Sequence, residues 1–136
     1  MAEVPPAMVQ NWMDPFHQDR AVRQLCAKNG IAYTSYSTLG GQWVYRSSPP
    51  GPNPVSTSPT LQAIAKAHGD VSVQAVVLSW ALQEGAVVLP RSTNASHMLE
   101  NLQVFQTGER PGEGDIAVFL TDVEMDAIRA LDGSLD

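Results

Sequence analysis

The sequence has little charge, one cysteine and no long apolar run. Lysine, arginine, aspartate and glutamate make up 16% of the 136 residues, against about 25% in typical globular domains. This shortage fits a domain with much buried or interfacial surface. With 43% hydrophobic residues the chain can build a core, and its length allows one domain at most or a piece of a larger one.

These shortages argue against three classes of protein. The net charge of −6 disfavours a nucleic-acid binder that works by neutralising phosphates. No stretch is long and apolar enough to span a bilayer, so we expect no membrane partner. Cys26 is the single cysteine, which excludes an internal disulfide and fits a reducing compartment. Because residues 1–10 lack the pattern of a signal peptide, we expect a cytoplasmic protein.

Three short apolar runs predict β-strands. Residues 7–13 are apolar and flanked by prolines, and residues 31–37 are aromatic and β-branched. Residues 86–91 form the third run, which ends in Pro90 and Arg91. Runs of this length and composition, bounded by proline and glycine, are typical of buried strands.

Amphipathic helices are predicted between and after the strands, and capping residues mark their beginnings. The predicted N-caps are Asp19, Ser58, Ser72, Asn94 and Thr121. The last forms a capping box with Glu124. The apolar stripes expected to be buried include Val22, Leu25 and Cys26 in the first helix, Leu61, Ile64 and Ala65 in the second, Val73, Val76, Val77 and Trp80 in the third, Met98, Leu102 and Phe105 in the fourth, and Met125 and Ile128 in the last.

The resulting order, β-α-β-α-α-β-α-α, predicts an α/β fold with about three parallel strands and right-handed crossovers. An eight-stranded parallel barrel would need five more strands. Two segments are predicted to be loops within one domain, residues 1–136. Residues 40–58 are rich in proline and glycine, and we expect them to be flexible and without regular structure. Residues 107–115 are polar and acidic.

The segment "VVLPRSTNASHMLEN", residues 87–101, places Arg91 and Ser92 between a strand and a helix capped by Asn94. In parallel α/β folds, function gathers where strands end and helices begin. Helix amides and a forked guanidinium can together bind a phosphate. The alternative interpretation is an ordinary strand end with a capped helix and a surface arginine. The spacing alone leaves both interpretations open.

Four motifs resemble the C-terminal part of the aldo-keto reductases, (β/α)8 barrels that use NADPH. "YSTLGGQW" is similar to the family's "YSPLG", and "IAKAHGDVSVQAVVLSWALQEGAVVLPRS" to "IAxKHGxSxAQVxLRWxLQxGxVVIPKS". "ASHMLENLQVF" is similar to "PERIxENxxVF", and "VQNWMDPF" more loosely to "NQVExHP". The resemblance implies a partial parallel (β/α) barrel, related to the C-terminal portion of a TIM barrel.

The resemblance also implies a cofactor site. By their matches, Gln10 would hold the nicotinamide carboxamide and Tyr36 would stack on the nicotinamide ring. Ser37 and Leu39 match residues that approach the pyrophosphate. The family's contacts to the adenosine end fall on Arg91 and Ser92 for the 2′-phosphate, on His97 for a second cation, and on Glu100 and Asn101 for the adenine.

Three departures from the family pattern bear on function. His97 replaces an arginine, which weakens the case for NADPH over NADH, whereas Arg91 in place of lysine partly offsets this because it can bind phosphate bidentately. Asp14 replaces the histidine of "HP", and the sequence offers no interpretation of it. The family's acid-base residues come from the missing first half of the barrel, so we assign no catalytic residue. Lys28 and Lys66 fall on predicted helix bodies, and Tyr33 is expected to pack in the core.

Two hypotheses from different classes follow. The first is an aldo-keto-reductase-like protein that binds a nicotinamide cofactor, with NADPH preferred and NADH possible, but lacks the residues that protonate a carbonyl. The second is an assembly module, a half-barrel whose open strand edges make a homo-oligomer or pair with a missing N-terminal half. The three histidines are too scattered for a metal set, so no metal is expected.

Overall fold

A computed structural model describes residues 4–46, 49–104 and 118–135. Within these ranges the chain is built from short parallel strands and the helices that connect them. The strands are β1 (Met8–Trp12), β2 (Ala32–Tyr36) and β3 (Val87–Val88). The helices are α1 (Arg20–Lys28), α2 (Gly41–Arg46), α3 (Pro54–Thr57), α4 (Pro59–Ala67), α5 (Val73–Gln83), α6 (Ala95–Gln103) and α7 (Asp122–Arg129).

The strands form one parallel sheet in the order β1-β2-β3. Trp12 lies beside Tyr36 in the first pairing, and Thr34 lies beside Val87 in the second. The predicted α/β class and the parallel pairing of about three strands are confirmed. Since parallel strands point the same way, the carboxyl ends of all three meet at one edge of the sheet.

Two predictions about elements were wrong. The third strand was predicted over residues 86–91, but pairing stops at Val88. Pro90, two residues on, has no amide to give to a ladder. Residues 40–58 were expected to lack regular structure, but they contain α2 and α3. The predicted acidic loop, residues 107–115, lies outside the described residues, as does Phe105.

The helix caps follow the sequence in four places out of five. Side-chain oxygens of Ser58, Ser72, Asn94 and Thr121 accept amide hydrogen bonds at the starts of α4, α5, α6 and α7. Asp19 stands before α1 in a left-handed conformation and makes no capping bond. Its carboxylate instead accepts hydrogen bonds from the side chains of Asn11 (2.9 Å) and Tyr33 (2.7 Å).

The core lies between the sheet and helices α4, α5 and α7. The predicted stripes of these helices are buried apart from Val73, which is only partly so: they supply Leu61, Ile64, Ala65, Val76, Val77, Trp80, Met125 and Ile128. Cys26 and Tyr33 are also buried, as expected. Leu25, Met98 and Leu102 were expected in the core but are exposed, because the body of the domain covers α1 and α6 on fewer sides. No described helix is long and apolar enough to cross a membrane.

The two faces of the sheet differ in cover. Tyr33, Ser35 and Val88 point to the helices and are buried. On the opposite face Met8 and Val87 are 53% and 45% exposed, and Leu89 just beyond β3 is 52% exposed. Alternation along the strand turns Val9 of β1 towards the core, against which it packs while staying partly exposed. The sheet is therefore covered on one face, and apolar side chains remain open to solvent on the other.

The C-terminal end of α7 and the segment that follows it are bonded to the connection between β1 and α1. The buried side-chain amide of Gln18 donates to the carbonyls of Pro15 (2.9 Å) and Ile128 (2.8 Å). The backbone N–H of Gln18 donates to the carboxylate of Asp132 (2.8 Å), and that of Gly133 donates to the carbonyl of Phe16 (3.0 Å). Three of these four bonds join parts of the chain that are more than a hundred residues apart.

Glu84, which ends α5, accepts hydrogen bonds from Arg23 of α1 and from Arg129 of α7 (2.7 Å). Burial opposes its charge, but the two guanidiniums outweigh burial and hold the pKa of Glu84 below its usual 4.5. A carboxylate whose pKa is lowered on folding stabilises the fold above its unfolded pKa, and the stabilisation is lost as pH falls through the folded value.

We therefore expect Glu84→Gln to lower the free energy of unfolding by about 2 kcal/mol near neutral pH. The difference from the parent should shrink as the pH falls below 4.5, and urea denaturation across that range measures it. Asp126→Asn is the control, since exposed Asp126 gives Arg129 only a surface pair worth about 1 kcal/mol or less. A loss for Glu84→Gln that stays constant into acid would contradict the assignment.

Gly40, after β2, packs against α3 with a positive φ of 80°. A Cβ there would lie 2.6 Å from Cγ2 of Val55 and closer still to the side chain of Asn53, whereas at Gly30 (φ 66°) it would meet nothing within 4 Å. Both alanine variants should lose about 1–2 kcal/mol from the left-handed backbone. Gly40→Ala should lose about 1–3 kcal/mol more by overpacking. Equal losses in urea denaturation would contradict this account.

Candidate functional site

A cleft of about 110 Å³ opens where the ends of β2 and β3 meet α5 and α6. Its lining comes from four separate parts of the chain. The lining residues are Leu39, Gln74, Arg91, Ser92, His97, Glu100 and Asn101. Six of the nine residues singled out in the sequence therefore share one cleft, although Leu39 is more than fifty residues before the others.

The entrance to α6 is held by a short network of hydrogen bonds. The hydroxyl of Ser92 accepts from the backbone N–H of Asn94 (3.0 Å) and donates to its carbonyl (3.2 Å). The side-chain oxygen of Asn94 accepts from the backbone N–H of Ser96 (2.9 Å). This cap uses one of the helix amides that the sequence had offered to a phosphate. It also fixes the direction in which Ser92 and its neighbour Arg91 enter the cleft.

Arg91 is exposed at the rim of the cleft. Among the described residues its guanidinium has neither an ion pair nor a hydrogen bond, in contrast to Arg23 and Arg129, which share Glu84. Glu100 also lines the cleft. The cleft thus offers a guanidinium for an anion on one side and carboxylate and amide groups for polar ring edges on the other.

Three of the predicted site residues lie outside this cleft. Tyr36 ends β2 and is half-buried, and Gln10 is exposed on the bare face of the sheet. Ser37 has a positive φ of 55°, and its hydroxyl accepts a hydrogen bond from the side chain of Gln42 (3.3 Å). Since Ser37 and Leu39 belong to the same turn, this turn connects the end of β2 with the cleft.

Gln74, in the first turn of α5, is a lining residue that the sequence did not single out. The apolar stripe of α5 was predicted from Val73, Val76 and Val77, and a polar residue beside that stripe is normally assigned to solvent. No local signal places Gln74 opposite α6, because the contact depends on how the two helices pack.

Asp14 is a second residue whose surroundings the sequence did not reveal. It is fully buried at the end of β1, and its carboxylate accepts hydrogen bonds from the indole N–H groups of Trp12 (2.8 Å) and Trp43 (2.9 Å). The backbone N–H groups of Phe16 (2.8 Å) and His17 (3.2 Å) donate to its other oxygen. Burial raises the pKa of Asp14, and these donors only partly offset the effect.

Aromatic rings surround this carboxylate. The ring of His17 stacks on Trp12 with centroids 4.1 Å apart, and Trp43 meets Trp12 edge-on at 5.3 Å. The guanidinium of Arg46, at the end of α2, lies over the Trp12 ring at 5.1 Å. Because Trp12 pairs with Tyr36 in the sheet, this group of rings borders the end of the same two strands.

The remaining polar candidates have structural positions. Lys28 and Lys66 lie in α1 and α4, as predicted, and both are exposed near the C-terminal ends of these helices. The hydroxyl of Tyr33 donates to Asp19 inside the core, and burial together with that carboxylate raises the pKa of Tyr33 far above its usual value. Across the described ranges, no group of three or more histidine, cysteine or acidic side chains could hold a metal ion.

Comparison with known proteins identifies the family to which this chain belongs. A family model described as "Aldo/keto reductase family" matches residues 1–111. The (1S)-1,7-diacetoxy-luvungin A aldo-keto reductase of Citrus sinensis is 35% identical over 107 residues, which cover 76% of this chain and 31% of that protein. The NADPH-dependent codeinone reductase 1-2 of Papaver somniferum is 36% identical over 106 residues, covering 78% and 32%.

A solved structure, that of a Gox0644 mutant in complex with NADPH, is similar with a TM-score of 0.72 and 28% identity. The match covers 95% of this chain and 39% of that one. The chain spans about a third of the length of the two curated relatives. The predicted resemblance is confirmed: the chain belongs to the aldo/keto reductase family and corresponds to part of its barrel.

Proposed function

We propose that this chain, as a single partial-barrel unit, binds a nicotinamide cofactor at the carboxyl ends of β2 and β3, with NADPH favoured over NADH. The observation that carries the proposal is the cleft that joins Leu39 to Arg91, Ser92 and α6. Its chemistry suits the adenosine-phosphate end of the cofactor, since an unengaged guanidinium can hold the 2′-phosphate. The NADPH complex of the similar structure supports the choice of ligand.

The residues along β1 and β2 would hold the other end of the cofactor. Tyr36 offers a ring for stacking, and Gln10 offers a side-chain amide that can pair with a carboxamide. The turn containing Ser37 and Leu39 lies between these residues and the cleft, where a pyrophosphate would connect the two ends. When bound, the cofactor supplies a hydride for the reduction of an aldehyde or ketone, and the protein contributes orientation and electrostatics.

The chain by itself would lack the proton donor of that reaction. Tyr33 is buried and its pKa is raised far above neutrality. Lys28 and Lys66 lie on exposed helix surfaces away from the strand ends. We infer that the activity of this chain is cofactor binding, and that carbonyl reduction requires catalytic groups outside residues 1–136. One buried thiol and no disulfide fit a reducing compartment, so we place the protein in the cytoplasm.

Arg91→Ala should weaken NADPH binding about ten- to a hundredfold, the usual range for a lost hydrogen bond to a charged group. NADH binding should change little, because NADH has no 2′-phosphate. The NADPH affinity of Arg91→Lys should fall between those of the parent and Arg91→Ala, since lysine keeps the charge but cannot bind the phosphate bidentately. Titration followed by nicotinamide fluorescence measures all three, with Lys66→Ala as the control. Equal losses of affinity for the two cofactors would refute the role of Arg91.

The second candidate is an assembly module, and the bare face of the sheet supports it. Met8, Val87 and Leu89 leave apolar surface open, and within the described residues β1 and β3 each pair on one side only. Unpaired strand edges template pairing with another chain, and parallel sheets are normally covered on both faces. In this interpretation the cofactor motifs are inherited from the family, and no binding would be seen at millimolar cofactor.

We expect the isolated chain to form a homodimer or larger oligomer that covers these open strand edges and the apolar side chains beside them. Val87→Lys should shift it towards monomer in sedimentation, because a charge on the apolar face opposes its burial. Val123→Lys is the matched control, since Val123 is exposed on α7, away from the sheet. A soluble, monomeric parent chain would rule the idea out.

A further inference from the structure

We propose that Asp14 is a positioning residue, whose carboxylate fastens α2 to the end of β1 and so holds the turn that follows β2. Any effect of Asp14 on cofactor affinity rests on the proposed function, but the attachment of α2 to β1 by Asp14 does not. Asp14 departs from the family's histidine, and its contacts give the departure a physical role.

The two oxygens of Asp14 have separate tasks. Oδ1 accepts the backbone N–H groups of Phe16 and His17, and so holds the turn after β1. Oδ2 accepts both indole N–H groups, one from Trp12 on β1 and one from Trp43 on α2. A carboxylate can take four donors. An amide at this position could still hold the turn, but its NH₂ group would face two other donors.

The fastened helix lies next to the proposed nicotinamide position. Trp12 is level with Tyr36 in the parallel pairing, and partners in a ladder point to the same face. Trp43 packs edge-on against Trp12, and the Arg46 guanidinium lies over the Trp12 ring. Through these contacts α2 lies across the ends of β1 and β2. A second bond, from Gln42 to Ser37 (3.3 Å), joins α2 to the turn itself.

The position of α2 therefore determines the geometry of the segment from Tyr36 to Gly41. The bond between Asp14 and Trp43 is one of the described contacts that hold α2 in this position, beside those of Arg46 and Gln42. Ser37 has a left-handed backbone, a conformation that is unfavourable for residues other than glycine. A turn under that strain relaxes when its neighbours stop constraining it.

The indole N–H groups report the fastening directly in ¹H–¹⁵N spectra of the full chain. The protein has three tryptophans, and the third, Trp80, is buried with no hydrogen-bond partner for its indole nitrogen among the described residues. In Asp14→Asn, the indole signals of Trp12 and Trp43 should move and exchange about tenfold faster or more with solvent, while that of Trp80 stays in place. A purely structural role would instead disturb all three signals together.

Tryptic cleavage after Arg46 gives a second measurement. Asp14→Asn and Trp43→Phe should each accelerate that cut about tenfold, and the double variant should add little to either change, since both remove the same bond. Trp12→Phe is the matched control, because it keeps an aromatic ring under Arg46 and leaves the bond between Asp14 and Trp43. An unchanged cutting rate in Trp43→Phe, or an equal acceleration in Trp12→Phe, would overturn the proposal.

NADPH titration of the same variants separates this inference from the proposed function. If the parent chain binds NADPH, Asp14→Asn and Trp43→Phe should weaken binding several-fold, and Trp12→Phe should weaken it less. If the parent does not bind, the proposed function fails, and the indole spectra and cleavage rates still decide the role of Asp14. Should Asp14→Asn fail to fold, Trp43→Phe, which leaves the carboxylate in place, decides it alone.

Discussion

The central strand β2 is hydrogen-bonded on both sides, and the arrangement of the proposed site depends on this double pairing. Through β1 it places Tyr36 beside Trp12, and through β3 it brings the turn after Tyr36 close to Arg91. Because the pairing is parallel, three segments separated by helices end at the same edge. A cofactor lying along that edge would contact residues as far apart in sequence as Gln10 and Asn101.

The same edge contains two kinds of polar group with different surroundings. Arg91 is exposed and unengaged among the described residues, so its charge is available to a ligand. Asp14 is buried and surrounded by N–H donors, so its charge is used within the protein. Since burial decides which charges a ligand can reach, the first residue suits recognition and the second suits positioning.

Much of the fold could be predicted because its signals are local. The caps at Ser58, Ser72 and Asn94 each need only a side chain and an amide two or three residues on. The apolar stripe of α5 follows from a 3.6-residue period. Six of the seven residues that line the cleft were found through the family motif, whereas their spacing alone left the interpretation as an ordinary strand end open.

The features that escaped prediction depend on contacts between distant segments. Prolines in residues 40–58 suggested a loop, but Pro54 occupies the first turn of α3, where proline is favourable. Asn53, which caps α3, also donates to the carbonyl of Leu39 (2.7 Å), and Trp43 holds α2 on Asp14. Neither of these hydrogen bonds, from Asn53 to Leu39 or from Trp43 to Asp14, is indicated by a periodic or local pattern in the sequence.

The bonds that join the β1–α1 connection to the end of α7 and the segment after it have a consequence for biosynthesis. Gln18 leaves the ribosome about a hundred residues before its partners Ile128 and Asp132, which at about 5–20 residues per second is a delay of several seconds or more. During that interval the amide of Gln18 and the apolar side of β1 lack their native cover. Contacts of such sequence separation also slow folding. The nascent chain is thus exposed to misassociation for longer than a helical protein of this size, and a chaperone that shields residues near Phe16 would act in that window.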